Sequence, residues 1–282
     1  MLGVFNARQD LKSALDSVKL VDLHEPNLPF PELSCIFIDW LPKSDPNFPK
    51  QAVFTEHYVK AGIPIIIYDR FLSVEKAEVN WLKKFNVSFW EPAINNRPDF
   101  EYMPQWWNNK ITLDPFIDEE EREFDLIYDG ILNDKITSFE KYYKTFAGLF
   151  PDKKVGYTSG LLHKKIQDYE NYNLKMYSGI TTGDASFTIL IGSAAEYRIG
   201  YLRDDLFDIM KQGVLPLLPK EHRFFGTVFN SMTIYSEVDL DYYINSYKKI
   251  RGILIEELTE SLFESYPEFK ISYIVDKIKD YV

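Results

Sequence analysis

Cysteine is almost missing from this chain: Cys35 alone among 282 residues excludes an internal disulfide framework and any cysteine-based metal cluster, and fits a reducing cytoplasm. No apolar run is long enough to span a bilayer, and the opening Met1–Asn6 stretch lacks the length and basic flank of a secretory signal. A soluble, cytoplasmic protein with no membrane partner is therefore expected. No long glycine-rich loop occurs, so a bound phosphate must be held by a few backbone amides and one or two cations. His24, His57, His163 and His222 are too scattered for a ligand set, and no clustered carboxylates mark a protein-bound metal. Internal repeats and low-complexity segments are also lacking.

What is present is an ordinary globular mixture, 45% hydrophobic and 27% charged, which sets aside disordered and fibrous architectures. The length suits one large domain or, more naturally, two modest lobes. Aromatic residues reach 16%; they fill cores, and they also suit a surface that stacks on sugars or bases. The net charge of −11 is uneven, with 11 basic and 13 acidic residues in 1–100 against 21 and 30 in 101–282. A nucleic-acid partner would have to use the nearly neutral first part. The acidic run from Asp118 to Glu123 reads as a solvated connector.

Strands and helices alternate along the chain. Leu33–Asp39, Ile63–Tyr68 and Val87–Trp90 read as strands, separated by helices over Pro49–Ala61 and over Ser73–Phe85, with Ser73 as cap. After a connection rich in proline, tryptophan and acids (Asn95–Glu123), the pattern resumes. Strands fall at Phe124–Tyr128, Lys154–Tyr157, Ala185–Ile191 and Val214–Leu218; helices fall at Ser138–Leu149, Leu161–Glu170 and over the segment from Tyr201 that Gly213 closes. A helical tail follows from Val238. Near-continuous apolar strands between helices predict parallel sheets covered on both faces. The expected fold is α/β with two Rossmann-like lobes, residues 1–105 and residues 106–282, the second including the tail.

Chemistry is sought at strand ends, because open α/β sheets bind ligands beyond the carboxyl ends of their strands. Asp69 stands at such an end and is a candidate general base; pairing with Arg70 or capping the helix near Ser73 is the alternative. Gly130 follows a strand and allows close approach of backbone amides to a phosphate, with Lys135 as a nearby cation or a plain surface lysine. Arg203, with Arg198 as its rival, is the preferred diphosphate cation unless it only pairs with Asp204 or Asp205. Asp208 is placed to accept ribose hydroxyls or to favour a helix dipole. Trp106–Trp107 with Tyr102 either pack the connection or stack a sugar or an extruded base.

Three stretches carry a family resemblance: Ile65-Ile66-Ile67-Tyr68-Asp69-Arg70; Phe100-Glu101-Tyr102-Met103-Pro104 followed by Asp125-Leu126-Ile127-Tyr128-Asp129-Gly130; and Tyr177-Ser178-Gly179-Ile180-Thr181 leading to the Arg203–Leu218 segment. In order and character, over residues 33–218, they resemble GT-B glycosyltransferases, in particular the DNA β-glucosyltransferase family of T-even bacteriophages. The resemblance implies an interlobe cleft and Asp69 as catalytic base. It further implies a donor site using Gly130, Lys135, Ile180, Arg198, Arg203 and Asp208, with Ile180 beside the nucleobase. The implied donor is a UDP-sugar, any magnesium ion being carried by its diphosphate, and the implied acceptor is a hydroxymethylated pyrimidine in phage DNA. The alternatives are a CgeB-like transferase acting on protein or cell-envelope glycan, or a non-catalytic sugar-nucleotide-binding module. The sequence departs from the family where Asn133, Asp134 and Lys135 replace two arginines, and where a longer interval separates Arg203 from Asp208.

Overall fold

Two six-stranded sheets, parallel throughout, organise the chain. The structure, a computed structural model, describes residues 1–15, 17–23, 32–94, 96–104, 112–113, 117–118, 121–130, 132, 135–158, 169, 172–203, 205–222 and 228–282. It divides into one unit of Met1–Asn109 with Tyr266–Val282 and a second of Lys110–Ser265.

The first unit runs β1 (Leu2–Phe5), α1 (Gln9–Ala14), β2 (Leu20–Asp22), β3 (Cys35–Asp39), α2 (Phe48–Lys60), β4 (Ile65–Tyr68), α3 (Lys76–Leu82), β5 (Val87–Glu91) and β6 (Glu101–Tyr102), in spatial order β2-β1-β3-β4-β5-β6. Strand order therefore reverses between β1 and β3. β3 and β4 are buried at every position, as strands covered on both faces must be. Phe54, Tyr58 and Val59 of α2, with Val79 and Leu82 of α3, cover one face over Ile36, Ile38, Ile65 and Ile67. α3 starts later than the sequence suggests. Ser73 is held by Asp69, and the reciprocal Glu75–Glu78 capping box sets the first turn instead.

The second unit begins with β7 (Phe124–Tyr128). A continuous helical run follows: α4 (Ile136–Phe139), a π-wound segment (Glu140–Lys144) and α5 (Thr145–Leu149). Next come β8 (Val155–Thr158), β9 (Leu174–Tyr177), β10 (Ala185–Ile189), α6 (Ala194–Ile199), α7 (Leu206–Lys211), β11 (Leu215–Pro219), β12 (Thr233–Ile234), α8 (Glu237–Tyr247) and α9 (Arg251–Ser265). Its order, β12-β11-β10-β7-β8-β9, is the dinucleotide-fold order, reversing between β7 and β10. At that reversal the ladder pairs Ala185 with Phe124 and Phe187 with Leu126. Further along, the buried phenol of Tyr143 stands between the strands, donating to Ile127 O at 3.0 Å and accepting from Ile189 N at 3.0 Å. Most of the expected Leu161–Glu170 helix lies outside the described residues.

Two expectations are corrected. The helix foreseen from Tyr201 begins only at Leu206: α6 is a separate helix closed by Gly200 in a left-handed conformation (φ 67°), and Asp205 occupies the position preceding α7. The tail, assigned to the second lobe, is divided. α8 and α9 belong there, but α10 (Ile271–Lys279) returns to the first unit. Its Ile271, Ile274, Val275 and Ile278 form one helical stripe against Leu2, Val4, Phe37 and Ile66, the sheet face that α2 and α3 leave uncovered.

Candidate functional site

The strand reversal in the second sheet creates a crevice at the carboxyl ends of β7 and β10. A pocket of about 240 Å³ lies there, formed by Leu190, Ile191 and Gly192 after β10, by Lys135 after β7, and by Glu196, Tyr197, Tyr201, Leu202, Arg203 and His222.

Each polar group in the pocket is held by a local device. Ser193 and Glu196 form a capping box, with Ser193 N donating to Glu196 Oε2 at 2.7 Å and Glu196 N to Ser193 Oγ at 3.3 Å. The other oxygen of Glu196 then meets Lys135 Nζ at 3.0 Å. Arg203 makes a forked contact to Asp205, Nε to Oδ1 at 2.8 Å and Nη2 to Oδ2 at 2.5 Å. The Tyr197 hydroxyl accepts from Gly192 N at 2.9 Å, and a Cβ on Gly192 would come within 2.9 Å of the Tyr197 ring, so only glycine fits that bend. His222 Nε2–H donates to Tyr201 O at 3.0 Å. Burial pushes its imidazole below the ordinary value, leaving it neutral at pH 7. Burial raises the Tyr128 phenol, with Arg203 pulling against it, and this phenol lies 3.2 Å from where a Gly130 Cβ would be.

The structure thus brings Lys135 and Arg203 to one pocket, with Gly130 (φ 152°) on the same strand end against Tyr128. Other candidates go elsewhere. Arg198 is exposed on the last turn of α6, and Asp208 is exposed on α7; neither lines the pocket. Ile180 packs with Phe124, Ile127 and Ala185 as a hydrophobic contact on the sheet. Asn133, Asp134, Asp204, Trp106 and Trp107 lie outside the described residues. Sequence reasoning overlooked Glu196, Tyr197 and His222; the Ser-x-x-Glu pattern at Ser193–Glu196 was the available signal for the first.

In the first unit Asp69 is fully buried and has four donors. Ser73 N lies at 2.7 Å, Ser73 Oγ at 3.2 Å, Val74 N at 2.9 Å and Arg97 Nη2 at 2.7 Å. Arg97 also bonds Glu91 and lies over the Phe100 ring at 3.5 Å. Asp69 therefore does not cap α3, whose cap is Glu75; it ties down the Ser73–Val74 turn ahead of that helix, and both its oxygens are occupied. One strand nearer the sheet reversal, Asp39 ends β3 in a different state: fully buried, without a hydrogen-bond donor among the described residues, and 3.3 Å from Arg70 Nη2.

Among the described residues no group of three or more His, Cys, Asp or Glu side chains could hold a metal ion, and no helix is long and apolar enough to cross a membrane. No family model matches the sequence, and no curated protein matches it significantly. Among solved structures the chain is similar to the pneumococcal O-GlcNAc transferase GtfA in complex with UDP and GlcNAc, at 12% identity and a TM-score of 0.47 over 87% of this chain; it spans 56% of that protein's length. It is also similar to the glycosyltransferase SnogD from Streptomyces nogalater (9% identity, TM-score 0.44, 99% of both chains). A third is the spinosyn forosaminyltransferase SpnP (11% identity, TM-score 0.39, 88% of this chain and 76% of that one).

Proposed function

We propose that the chain is a glycosyltransferase drawing its sugar from a nucleotide sugar, with the donor diphosphate seated beside Lys135 and Arg203. One observation carries the reading: two cations from separate loops converge on one pocket at the strand reversal of a dinucleotide-type sheet, where such sheets bind anionic nucleotides. Glu196 and Asp205 hold the two cations in place, and a diphosphate entering the pocket takes over part of their pairing. The departing charge is then met by cations that need no rearrangement. The motif order in the sequence supports a UDP-sugar as donor.

The acceptor reading is finer. The resemblance of the Ile65–Arg70 and Tyr177–Thr181 stretches supports a hydroxymethylated pyrimidine in DNA. The charge of −11 favours the alternative, a protein or cell-envelope glycan. Activity that falls steeply with salt marks the first, because phosphate contacts release counterions; salt-insensitive activity marks the second.

The test is a thermal-shift titration of the full chain with UDP and a panel of UDP-sugars. UDP is expected to raise the melting temperature, and Lys135→Ala and Arg203→Ala are each expected to weaken binding about tenfold, the scale of one lost charge-assisted hydrogen bond. UDP affinity unchanged in both variants rejects the reading.

A further inference from the structure

The carboxyl ends of β7 and β10, which build the pocket, are parted by a side chain. Leu190 N pairs with Leu217 O of β11, so Ile189 N, one residue back, faces β7. After the pair Phe187–Leu126, a parallel ladder continues by joining Ile189 N to Ile127 O. The Tyr143 hydroxyl occupies that bond instead, accepting from Ile189 N and donating to Ile127 O, both at 3.0 Å. Thr188 Oγ1 donates to the same Ile127 oxygen at 3.1 Å. The phenol is fully buried, and burial pushes it up to about 12 against the pull of Thr188, the Ile189 amide and Arg203, so it keeps its proton at ordinary pH. Its ring is fixed as firmly. It stacks on Phe139 with centroids 5.2 Å apart and meets the edge of Tyr128 at 5.6 Å.

The helical run that carries Tyr143 reaches the other pocket walls as well. Ser138 Oγ donates to Gly192 O at 2.9 Å, and Lys141 Nζ and the Tyr142 hydroxyl donate to the two oxygens of Glu221, the neighbour of His222. Thr145 N reaches back five residues to Glu140 O, the mark of a π turn, a rare winding that recurs at functional sites. Within that turn Tyr142 and Tyr143, adjacent in sequence, serve different strands: one the loop after β11, the other the gap between β7 and β10.

We propose that Tyr143 is a positioning residue for the donor: its hydroxyl sets the gap between β7 and β10 and, with Ser138, fixes the loops that bring Lys135 and Arg203 to the diphosphate. This inference rests on the nucleotide-sugar reading and extends it to what holds that site in register. Tyr143 does not line the pocket; it acts through Ile127, which leads to Gly130 and Lys135, and through Ile189, which leads to Gly192 and Glu196. Charge-assisted bonds to a phosphate weaken with distance and misalignment, so a strand end released from its tie loses affinity. Phe in this place keeps the ring, and with it the gap, but leaves Ile189 N without its acceptor and loosens residues 190–192.

The experiment is a calorimetric titration of the full chain with UDP, at a temperature where circular dichroism shows every variant folded. Tyr143→Phe is expected to weaken UDP binding about tenfold, and Ser138→Ala, at a half-buried position, about fivefold. Lowered stability by itself leaves the affinity of folded molecules unchanged. Ile244→Val on α8, which removes one buried methyl, should therefore bind UDP within twofold of wild type. In an Arg203→Ala background the loss caused by Tyr143→Phe should shrink to about threefold or less, because the hydroxyl acts through the same contact. UDP binding within twofold of wild type in either Tyr143→Phe or Ser138→Ala overturns the assignment, as does an equal loss from Tyr143→Phe in both backgrounds. A wild-type chain that does not bind UDP overturns the nucleotide-sugar reading itself, and this inference with it.

Discussion

Two aspartates end neighbouring strands one register step apart, since Asp39 pairs with Tyr68 and Asp69 comes next, yet they have opposite characters. Asp69 is saturated with donors and ties down the Ser73–Val74 turn; Asp39 accepts no hydrogen bond among the described residues and has Arg70 Nη2 at 3.3 Å. Replacing Asp69 with Ala should cost about 2 kcal/mol of stability, the scale of leaving a buried donor such as Val74 N unsatisfied, in a urea titration monitored by fluorescence. Burial pushes the Asp39 carboxyl up to about 7, against the pull of Arg70 and Arg8, so stability is lost as pH rises from about 4 to about 7. Asn in place of Asp39 should move the same curve the other way at pH 8. The sequence identifies strand-end acids as a class but does not sort them. The groups that occupy Asp69 arrive from four residues away at Ser73 and from 28 residues away at Arg97, and only folding shows that no hydrogen-bond donor of the described residues reaches Asp39. The same limit hid Glu196, whose importance depends on Lys135 coming from another loop.

Among the elements, the strands at the middle of each sheet were legible because they are apolar without interruption, as Cys35–Asp39, Ile65–Tyr68 and Phe124–Tyr128 are. β1 and β2 were not, being four and three residues long with no flanking periodicity to mark them. The helix expected from Tyr201 misled for a definite reason. Its apolar spacing continues through Leu202 and Leu206, but Arg203 folds onto Asp205 ahead of the first helical turn. The π-wound segment was also invisible, although it places Tyr143 where the β7–β10 ladder opens. Tyr143→Phe removes the acceptor of Ile189 N and leaves that amide buried and unsatisfied. A loss of about 1–3 kcal/mol is expected by chemical denaturation. Hydrogen exchange at Ile189 should quicken as well, and a protected Ile189 amide in the variant would show that the ladder closes without the phenol.

At the scale of the molecule, the alternation of strands and helices correctly announced two α/β units, while the return of the tail could not be read. The stripe on α10 shows that the helix buries one side, and says nothing of which sheet receives it. A chain ending at Ser265 uncovers Leu2, Val4, Phe37 and Ile66 on the first sheet. Limited proteolysis should then degrade residues 1–109 rapidly while leaving 110–265 resistant. Equal resistance of both parts would mean that the first unit stands without its closing helix. The path of the tail also sets a timetable for synthesis. All of 110–265 leaves the ribosome before the segment that seals the earlier unit, so the half translated second can reach its native state first, and the half translated first waits with one side of its sheet covered only by α1 until residues 266–282 emerge.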